Sequence, residues 1–419
     1  MKLLIIMPYP RKRNSSFFSR FFSPCLSIQQ IAAIVPEEFD VEIVDERLEK
    51  LCYEDEYDLV GISCMTYNSF KAYRLADEFR SRGIKVVLGG YHPTVMSEEA
   101  KQHADSVVIG EAENTWPQLL QDFKDDKLKS FYRSNEFVDP KLIPAAFHNI
   151  EKYKNQKVES IQTSRGCPVE CKFCATQNIE GMKFRGRPIN NIIKELDDID
   201  KKNIYFADAS LTINPIFSKN LFKQMKPLNK HFTGLGNVNV PVKDDEFLKL
   251  ACEAGCSLFL LGLESFSQNT INSMGKTTNK IEEYKKAIEK FHDHGIRVIG
   301  SFIFGFDTDT VDVFQKTYES VTEIEIDVPR FNILTPLPGT YIFKQFEQEK
   351  RLLTYDWSKY TDDGGEVVFQ PKNMTSQELL EGVEYIYNKF DSFSGNIKKF
   401  IKHRNIDLYS IYRIIEKYC

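Results

Sequence analysis

Three closely spaced cysteines constrain this chain more than any other feature. Cys167, Cys171 and Cys174 follow the pattern C-x3-C-x2-C. Thiolates grouped this tightly suit zinc or an iron–sulfur cluster. A structural zinc site takes four protein ligands, and no fourth Cys or His lies close by in the sequence. Three thiolates on a four-iron cluster leave one iron open to a small molecule, so the spacing favours such a cluster, with a zinc knuckle as the alternative.

The bulk composition limits the class of protein. A chain of 419 residues is long enough for two or three domains, and its net charge of −5 provides no basic field for nucleic acid. The nine cysteines are odd in number and scattered outside the motif, which indicates a reducing, cytoplasmic compartment. The apolar run Leu3–Met7 is too short to span a bilayer, and no later run reaches about 18 apolar residues, so we expect no transmembrane segment.

Before the cysteines, strand-like and helix-like segments alternate. This order predicts a Rossmann-like, doubly wound parallel sheet, which binds ligands at the carboxyl ends of its strands. The predicted strands are 2–7, 41–45, 58–63, 85–90 and 106–110, and the predicted helices are 27–35, 69–82, 97–103 and 113–123.

A connector, residues 124–156, shows no sustained hydrophobic period. A second series of alternating strand-like and helix-like segments follows it. The cysteines come directly after its first strand, where a parallel barrel builds its active site. Six strands separated by helices predict a partial (β/α)6 barrel with an open lateral mouth. These strands are 158–163, 203–208, 231–239, 257–264, 296–305 and 329–334.

The remaining chain predicts a mostly helical C-terminal region. It contains a strand-like Glu366–Phe369, helices at 376–390, 395–403 and 407–418, and a basic cluster within 398–404 that we interpret as a solvated helix face. The predicted domains are therefore 1–135, a linker 136–156, 157–340, and 341–419.

The second series resembles the radical SAM superfamily, in which an open iron binds S-adenosylmethionine (SAM). Gly166 before the first cysteine and Phe173 before the third also fit that family. Glu264 ends an apolar strand, where a carboxylate is costly to bury without partners. The resemblance implies that SAM contacts Phe173, Asp208, Asn237, Glu264, Ser301, Ile303 and Gly305.

The first series is similar to the cobalamin-binding domain that precedes the radical SAM domain in one subfamily. The resemblance implies that cobalamin contacts Ser63, Thr66, Gly89, Gly90, Tyr91, His92, Gly110 and Glu111, which lie in three loops after predicted strands.

The D-x-H-x-x-G signature, which supplies an axial histidine to cobalt, is absent after the first strand of this chain. We therefore expect base-off cobalamin, with His92 packed beside the nucleotide tail rather than bound to cobalt. A domain that keeps the fold without cobalamin is the alternative.

The combined resemblance implies a cobalamin-dependent radical SAM methyltransferase that acts on an unactivated carbon. One SAM would methylate cobalamin, and a second would be cleaved by the cluster to a 5′-deoxyadenosyl radical. The alternatives are an enzyme of this architecture that catalyses cyclisation, rearrangement or C–C coupling, and a non-enzymatic regulator. Implied partners are a small-molecule, lipid or peptide substrate and an electron donor such as flavodoxin or ferredoxin, with no nucleic acid.

Overall fold

The structure is a computed structural model that describes residues 1–10, 23–51, 56–361 and 365–390. Its first unit is a parallel sheet in which the strands follow the order β2-β1-β3-β4-β5-β6. Strand β1 lies between β2 and β3 and is apolar on both faces, because helices cover both sides of the sheet. The strands are β1 (Lys2–Met7), β2 (Asp40–Asp45), β3 (Leu59–Ser63), β4 (Lys85–Gly89), β5 (Ser106–Ile109) and β6 (Phe131–Arg133). The helices are α1 (Leu26–Ala32), α2 (Ser69–Ser81), α3 (Tyr91–Val95), α4 (Ser97–His103) and α5 (Trp116–Lys124).

The second unit is a six-stranded parallel sheet with the order β14-β13-β12-β11-β10-β7. Its outer edges, β14 and β7, do not pair with each other, so the barrel is open on one side. The strands of this unit, with a two-stranded hairpin formed by β8 and β9, are β7 (Val158–Ile161), β8 (Ser164–Arg165), β9 (Arg185–Gly186), β10 (Asn203–Phe206), β11 (His231–Gly236), β12 (Cys256–Glu264), β13 (Arg297–Phe304) and β14 (Val328–Ile333).

Helices pack on the outer face of this open barrel. Aromatic side chains dominate the core between them, among them Phe222, Phe259 and Phe291, all fully buried. The helices are α6 (Thr176–Glu180), α7 (Ile189–Asp198), α8 (Pro215–Met225), α9 (Asp245–Glu253), α10 (Gln268–Ser273), α11 (Tyr284–Asp293), α12 (Val313–Glu323), α13 (Tyr341–Gln348) and α14 (Ser376–Phe390).

Both predicted sheets are confirmed, and three details differ. The connector contributes β6, which pairs with β5, and the loop after β7 contains the β8–β9 hairpin. The strand predicted at 366–369 is only a single bridge between Leu352 and Phe369. The helices predicted at 395–403 and 407–418, and the basic cluster, lie outside the described residues.

Side chains join the two units at several points. Gln29 of α1 donates to Glu159 of β7 at 3.1 Å, and the Tyr91 hydroxyl donates to the carbonyl of Pro338 at 2.7 Å. Trp357, in the C-terminal region, donates its indole N–H to Glu99 of α4 at 3.0 Å. Within the described ranges, no helix combines the length and apolar character needed to cross a bilayer.

Candidate functional site

The cysteine loop begins at a glycine that no other residue could replace without moving the backbone. Gly166 has φ +83°, and a Cβ there would lie 2.1 Å from the carbonyl oxygen of Lys183. Its amide donates to Glu180 at 3.0 Å, and the next amide, of Cys167, donates to the carbonyl of Gly181 at 3.1 Å. The β8–β9 hairpin therefore holds the start of the loop tightly against residues 180–183.

The three cysteines are partly exposed and form no disulfide. Burial raises the pKa of Cys171 to about 12 and also raises that of Cys167, while the positive charge of Lys276 opposes both shifts. A metal centre would reverse this balance, because bound thiols are deprotonated.

In the described part of the chain, no three His, Cys, Asp or Glu side chains converge on a point that suits a single ion. An iron–sulfur cluster does not require such convergence, since each thiolate binds a different iron.

Glu264 ends β12 beside this loop and is buried against Lys276 of the loop after α10. Its φ is +65°, a conformation that non-glycine residues rarely adopt, and the pairing with β13 shifts register between Gly262 and Glu264. Burial disfavours the Lys276 ammonium, but the Glu264 carboxylate raises the pKa of Lys276 overall. Strained backbone of this kind persists only when its surroundings hold it, and together with the burial of the carboxylate it makes Glu264 a candidate functional residue.

Asp208 and Asn237 follow β10 and β11 and are both buried. Asp208 accepts hydrogen bonds from the hydroxyls of Thr163 and Ser164 at 2.7 and 2.6 Å and from the Thr163 amide. The amide group of Asn237 donates to Ser210 at 3.3 Å. Asp208 thus fixes the chain between β7 and the cysteine loop, while burial raises the pKa of its carboxyl.

Three of the residues predicted to contact SAM lie in the second half of β13 or directly after it. The Ser301 hydroxyl accepts from Asn332 of β14 at 3.1 Å, and Ile303 is partly exposed on the same face. Gly305 has φ +104°, and its amide donates to Asp309 at 3.0 Å. Phe173 packs edge-on against Phe306 with the ring centroids 6.0 Å apart, so the cysteine loop touches this strand end.

The loops after β3, β4 and β5 meet at the carboxyl edge of the first sheet. Gly90, at φ +95°, lies so close to the preceding loop that a Cβ would be 2.7 Å from the carbonyl oxygen of Cys64. Gly89 has only ordinary contacts, and a Cβ on Gly110 would meet no atom within 4 Å. Ser63 is partly exposed, and its hydroxyl lies 3.2 Å from that of Ser27. Hydroxyls and open backbone at this edge suit the polar tail of a large cofactor.

Thr66 and His92 lie beneath these loops. His92 is fully buried, with Nδ1 3.3 Å from the Thr66 hydroxyl and Nε2 3.2 Å from Glu99. Both ring nitrogens therefore have protein partners, in keeping with a packing role. Tyr91 is also buried, and its hydroxyl accepts from Asn178 of α6 at 3.2 Å.

Glu111 joins the first sheet to the cysteine loop. Its carboxylate accepts from Arg165 at 3.0 Å, from Arg185 at 2.6 and 3.1 Å, and from the Val138 amide at 2.7 Å. Arg165 also pairs with Glu113. These bonds occupy the Glu111 carboxylate and connect the loop after β5 directly to the residue before Gly166.

Sequence reasoning missed Lys276, Arg165 and Arg185. Each is a single basic residue in a loop or a two-residue strand, and its importance comes from a carboxylate distant in the sequence. The G-E-x-E motif at 110–113 was a signal for Arg165 and Arg185, because its two carboxylates require cationic partners when they are buried.

Comparison with known proteins agrees with this geometry. A family model for the Radical SAM superfamily matches residues 161–321, and one for the B12 binding domain matches residues 22–120. The bacteriochlorophyllide d C-12(1)-methyltransferase of Chlorobaculum tepidum is 32% identical over 369 residues, which cover 85% of this chain and 80% of that protein. The C-8(2)-methyltransferase of the same organism is 33% identical over 80% of this chain and 78% of its own.

Among solved structures, the cobalamin-dependent S-adenosylmethionine radical enzyme OxsB, with aqua-cobalamin and S-adenosylmethionine bound, superposes with a TM-score of 0.72. The identity is 15%, and the match covers 99% of this chain and 70% of that one. The arrangement of the two units is therefore that of a known fold.

Proposed function

Because this chain belongs to the cobalamin-dependent radical SAM enzymes, we infer its function and its site from that membership. It is a radical SAM C-methyltransferase whose cofactors are a [4Fe–4S] cluster, SAM and cobalamin. When bound, these groups supply the electron, the radical and the methyl carrier, and the protein positions them and excludes water.

We assign the cluster to Cys167, Cys171 and Cys174. The supporting observations are that the thiols are free and partly exposed, and that Lys276 provides a buried positive charge beside them. A nearby cation stabilises thiolates and the added negative charge of a reduced cluster.

For SAM we propose the edge formed by Phe173, Asn237, Glu264, Ser301, Ile303 and Gly305, with Asp208 shaping the loop beneath. Glu264 is the residue most suited to a direct contact, since its strained backbone and its ion pair hold a carboxylate at the end of an apolar strand. A charged amine or two hydroxyls on the ligand would make further hydrogen bonds to the Glu264 carboxylate of this ion pair.

We propose that the cobalamin tail lies along Ser63, Gly89, Gly90 and Gly110, where Gly110 leaves the backbone open and Gly90 packs the turn against the Cys64 loop. Thr66, Tyr91 and His92 would support these loops from below, and Glu111 would hold them against the cysteine loop. The base-off form with no histidine on cobalt remains our prediction.

The substrate class follows from the two Chlorobaculum relatives, which are methyltransferases of bacteriochlorophyllide d. We propose a small molecule with a large apolar ring system, methylated at an alkyl carbon. The reaction needs reducing equivalents, for which we propose flavodoxin or ferredoxin, and we propose the cytoplasm as its compartment. We further propose domain limits of 1–135, 157–340 and 341–419, since the first sheet ends at Arg133 and the second begins at Val158.

The test is an anaerobic reconstitution with iron, sulfide and hydroxocobalamin, assayed with bacteriochlorophyllide d and SAM that carries a CD3 methyl group. We expect 5′-deoxyadenosine and a product that gains one CD3 in place of hydrogen. Cys171→Ala should abolish both products.

A product that retains the substrate's carbon count, formed together with 5′-deoxyadenosine, would instead establish cyclisation, rearrangement or coupling. SAM cleavage with no change in the probe would refute the substrate class and leave the radical chemistry intact.

A further inference from the structure

The inner face of the second sheet is open. Along β13 the outward residues are buried, whereas the inward residues Ile299, Ser301 and Ile303 are only partly buried. The same alternation occurs in β11, where Thr233 and Leu235 face inward. In a closed barrel with a filled interior, the inward-facing side chains of different strands would bury one another. Their partial exposure indicates a lumen with space for a ligand and walls that are largely apolar.

Arg330 lies on this inner face. It is two residues before Asn332, whose amide reaches inward to Ser301, and alternate residues of a strand share a face. Phe331, between them, packs outward against Tyr387 of α14. Arg330 is also paired in register with Ser301, on the edge strand beside the open side of the barrel.

The charge of Arg330 acts across the lumen. Burial raises the pKa of Tyr205, on the inner face of β10, and the positive charge of Arg330 opposes that increase. Strands β10 and β14 are separated by three others in the sheet, so the two side chains approach through the interior.

Arg330 has no hydrogen bond and no ion pair with any described residue, although it is partly buried. Two buried carboxylates at the carboxyl ends of strands in this sheet are engaged elsewhere: Asp208 by Thr163 and Ser164, and Glu264 by Lys276. A partly buried guanidinium has five N–H donors, and here no described residue occupies them, so they are available to an anion that enters the barrel.

We propose that Arg330 binds the carboxylate of the substrate. This rests on the proposed function, because it assumes that the substrate enters the barrel. A guanidinium binds a carboxylate through two parallel hydrogen bonds, which fixes orientation as well as charge. The proposed substrate is therefore a molecule with an apolar body and a carboxylate. The carboxylate would bind beside the edge strand β14, at the open side of the barrel.

The test uses 1-pyrenebutyrate, a flat apolar carboxylate, and its methyl ester, so that it does not depend on methyl transfer. Binding of each to the reconstituted holoenzyme is measured by equilibrium dialysis. We expect the acid to bind about 10- to 100-fold more tightly than the ester. Arg330→Met should remove the difference, and Arg330→Lys should restore part of it, because it keeps the charge without the fork.

The matched control is Arg297→Met, which makes the same change on the neighbouring strand at its exposed, amino-terminal end. It should leave the preference for the acid unchanged. Equal binding of acid and ester by the wild-type protein would overturn the proposal, as would an unaltered preference in Arg330→Met.

A second arm identifies the source of the carboxylate, since SAM also carries one. The dissociation constant of SAM and the rate of 5′-deoxyadenosine formation without substrate should not change in Arg330→Met. A 10-fold loss of SAM affinity in that variant would assign the guanidinium to SAM and refute a substrate site. The protein could fail to methylate bacteriochlorophyllide d and still bind 1-pyrenebutyrate more tightly than its methyl ester. That result would refute the substrate class proposed under the function and would leave the carboxylate site intact.

Discussion

Replacing Glu111 with glutamine tests whether the junction between the two units is a true buried ion-pair network. The Glu111 side chain is 3% exposed, and those of Arg165 and Arg185 are 10% and 11% exposed. Glutamine keeps the shape but removes the charge and one acceptor atom. Arg165 would retain Glu113, whereas Arg185 would keep only neutral acceptors, the backbone carbonyls and the glutamine oxygen, and would have no anionic partner.

Removing one partner of a buried ion pair costs about 3–5 kcal/mol, because the remaining charge stays desolvated and unpaired. We expect Glu111→Gln to lower the free energy of unfolding by about that amount. Glu113→Gln is the matched control, since it removes only one hydrogen bond from Arg165 and should cost about 1.5–3 kcal/mol.

Urea denaturation followed by tryptophan fluorescence measures both variants. The chain has two tryptophans, Trp116 beneath the first sheet and Trp357 in the C-terminal region. A Trp357→Phe background therefore isolates the unit that contains Glu111. A cost below about 1 kcal/mol would show that water screens the network as it does a surface pair, and would refute the argument.

The same junction should affect the coupling of the reaction. Arg165 precedes the cysteine loop, so loosening its contact with Glu111 should misplace that loop against the cobalamin edge. We expect more 5′-deoxyadenosine per methylated product in Glu111→Gln than in the wild type. A lower rate at an unchanged ratio would indicate a stability effect alone.

Three further predictions follow from single residues. Glu264→Gln should weaken SAM binding about 10- to 100-fold in equilibrium dialysis while iron and sulfide content stay unchanged; normal SAM affinity would return Glu264 to a structural role. Gly89→Val should prevent cobalamin binding, measured as cobalt content, with little loss of stability, whereas Gly90→Ala should destabilise the loop itself because of its positive φ. The contribution of His148 to stability, measured as the difference between wild type and His148→Gln in urea denaturation, should fall by about 3 kcal/mol as pH rises from about 6.5 to 9. A difference that does not change with pH would contradict this prediction.

The sign of the last effect follows from the contacts of His148. Although burial opposes protonation, interactions with the carboxylates of Glu159 and Glu195 raise the pKa of His148 to about 9. Its Nε2 lies 2.8 Å from Glu195, and its Nδ1 lies 3.5 Å from Glu159, a distance typical of an ion pair rather than a hydrogen bond. The imidazolium is thus favoured in the folded state. Its contribution is complete below the unfolded pKa and disappears as pH rises through the folded pKa.

The sequence was sufficient to predict the sheets because their strands are continuous apolar runs separated by helices. Eleven strands, all those described except β6, β8 and β9, could be recognised in this way, since burial of one or both faces of a strand imposes an apolar composition. Three short strands could not be recognised from the sequence: β6, with three residues, and β8 and β9, with two each. They are strands only because they pair with a neighbouring strand, and their local sequence has no strand pattern.

The partners of the site residues could not be predicted for a related reason. Asp208 was expected near SAM, yet its carboxylate bonds Thr163 and Ser164, more than 40 residues earlier in the chain. His92 was expected beside cobalamin, and its Nε2 shares Glu99 with Trp357, 258 residues further along than that glutamate. Strand order predicted that both residues lie at the carboxyl edge of their sheets, whereas the direction of each side chain depends on tertiary contacts that have no periodic signal.

Two residues that we propose to lie at the cobalamin edge, Tyr91 and Glu111, also join the two units. Tyr91 follows the Gly89–Gly90 turn and bonds both Pro338, after the barrel, and Asn178, shortly after the cysteine loop. Glu111 follows Gly110 and holds Arg165. Two of the three loops at the proposed cobalamin edge are thus tied by side chains to the region around the cysteines. If the cofactors bind where we propose, these contacts set the separation between the methyl carrier and the radical source, so we expect a change at either site to alter the geometry of both.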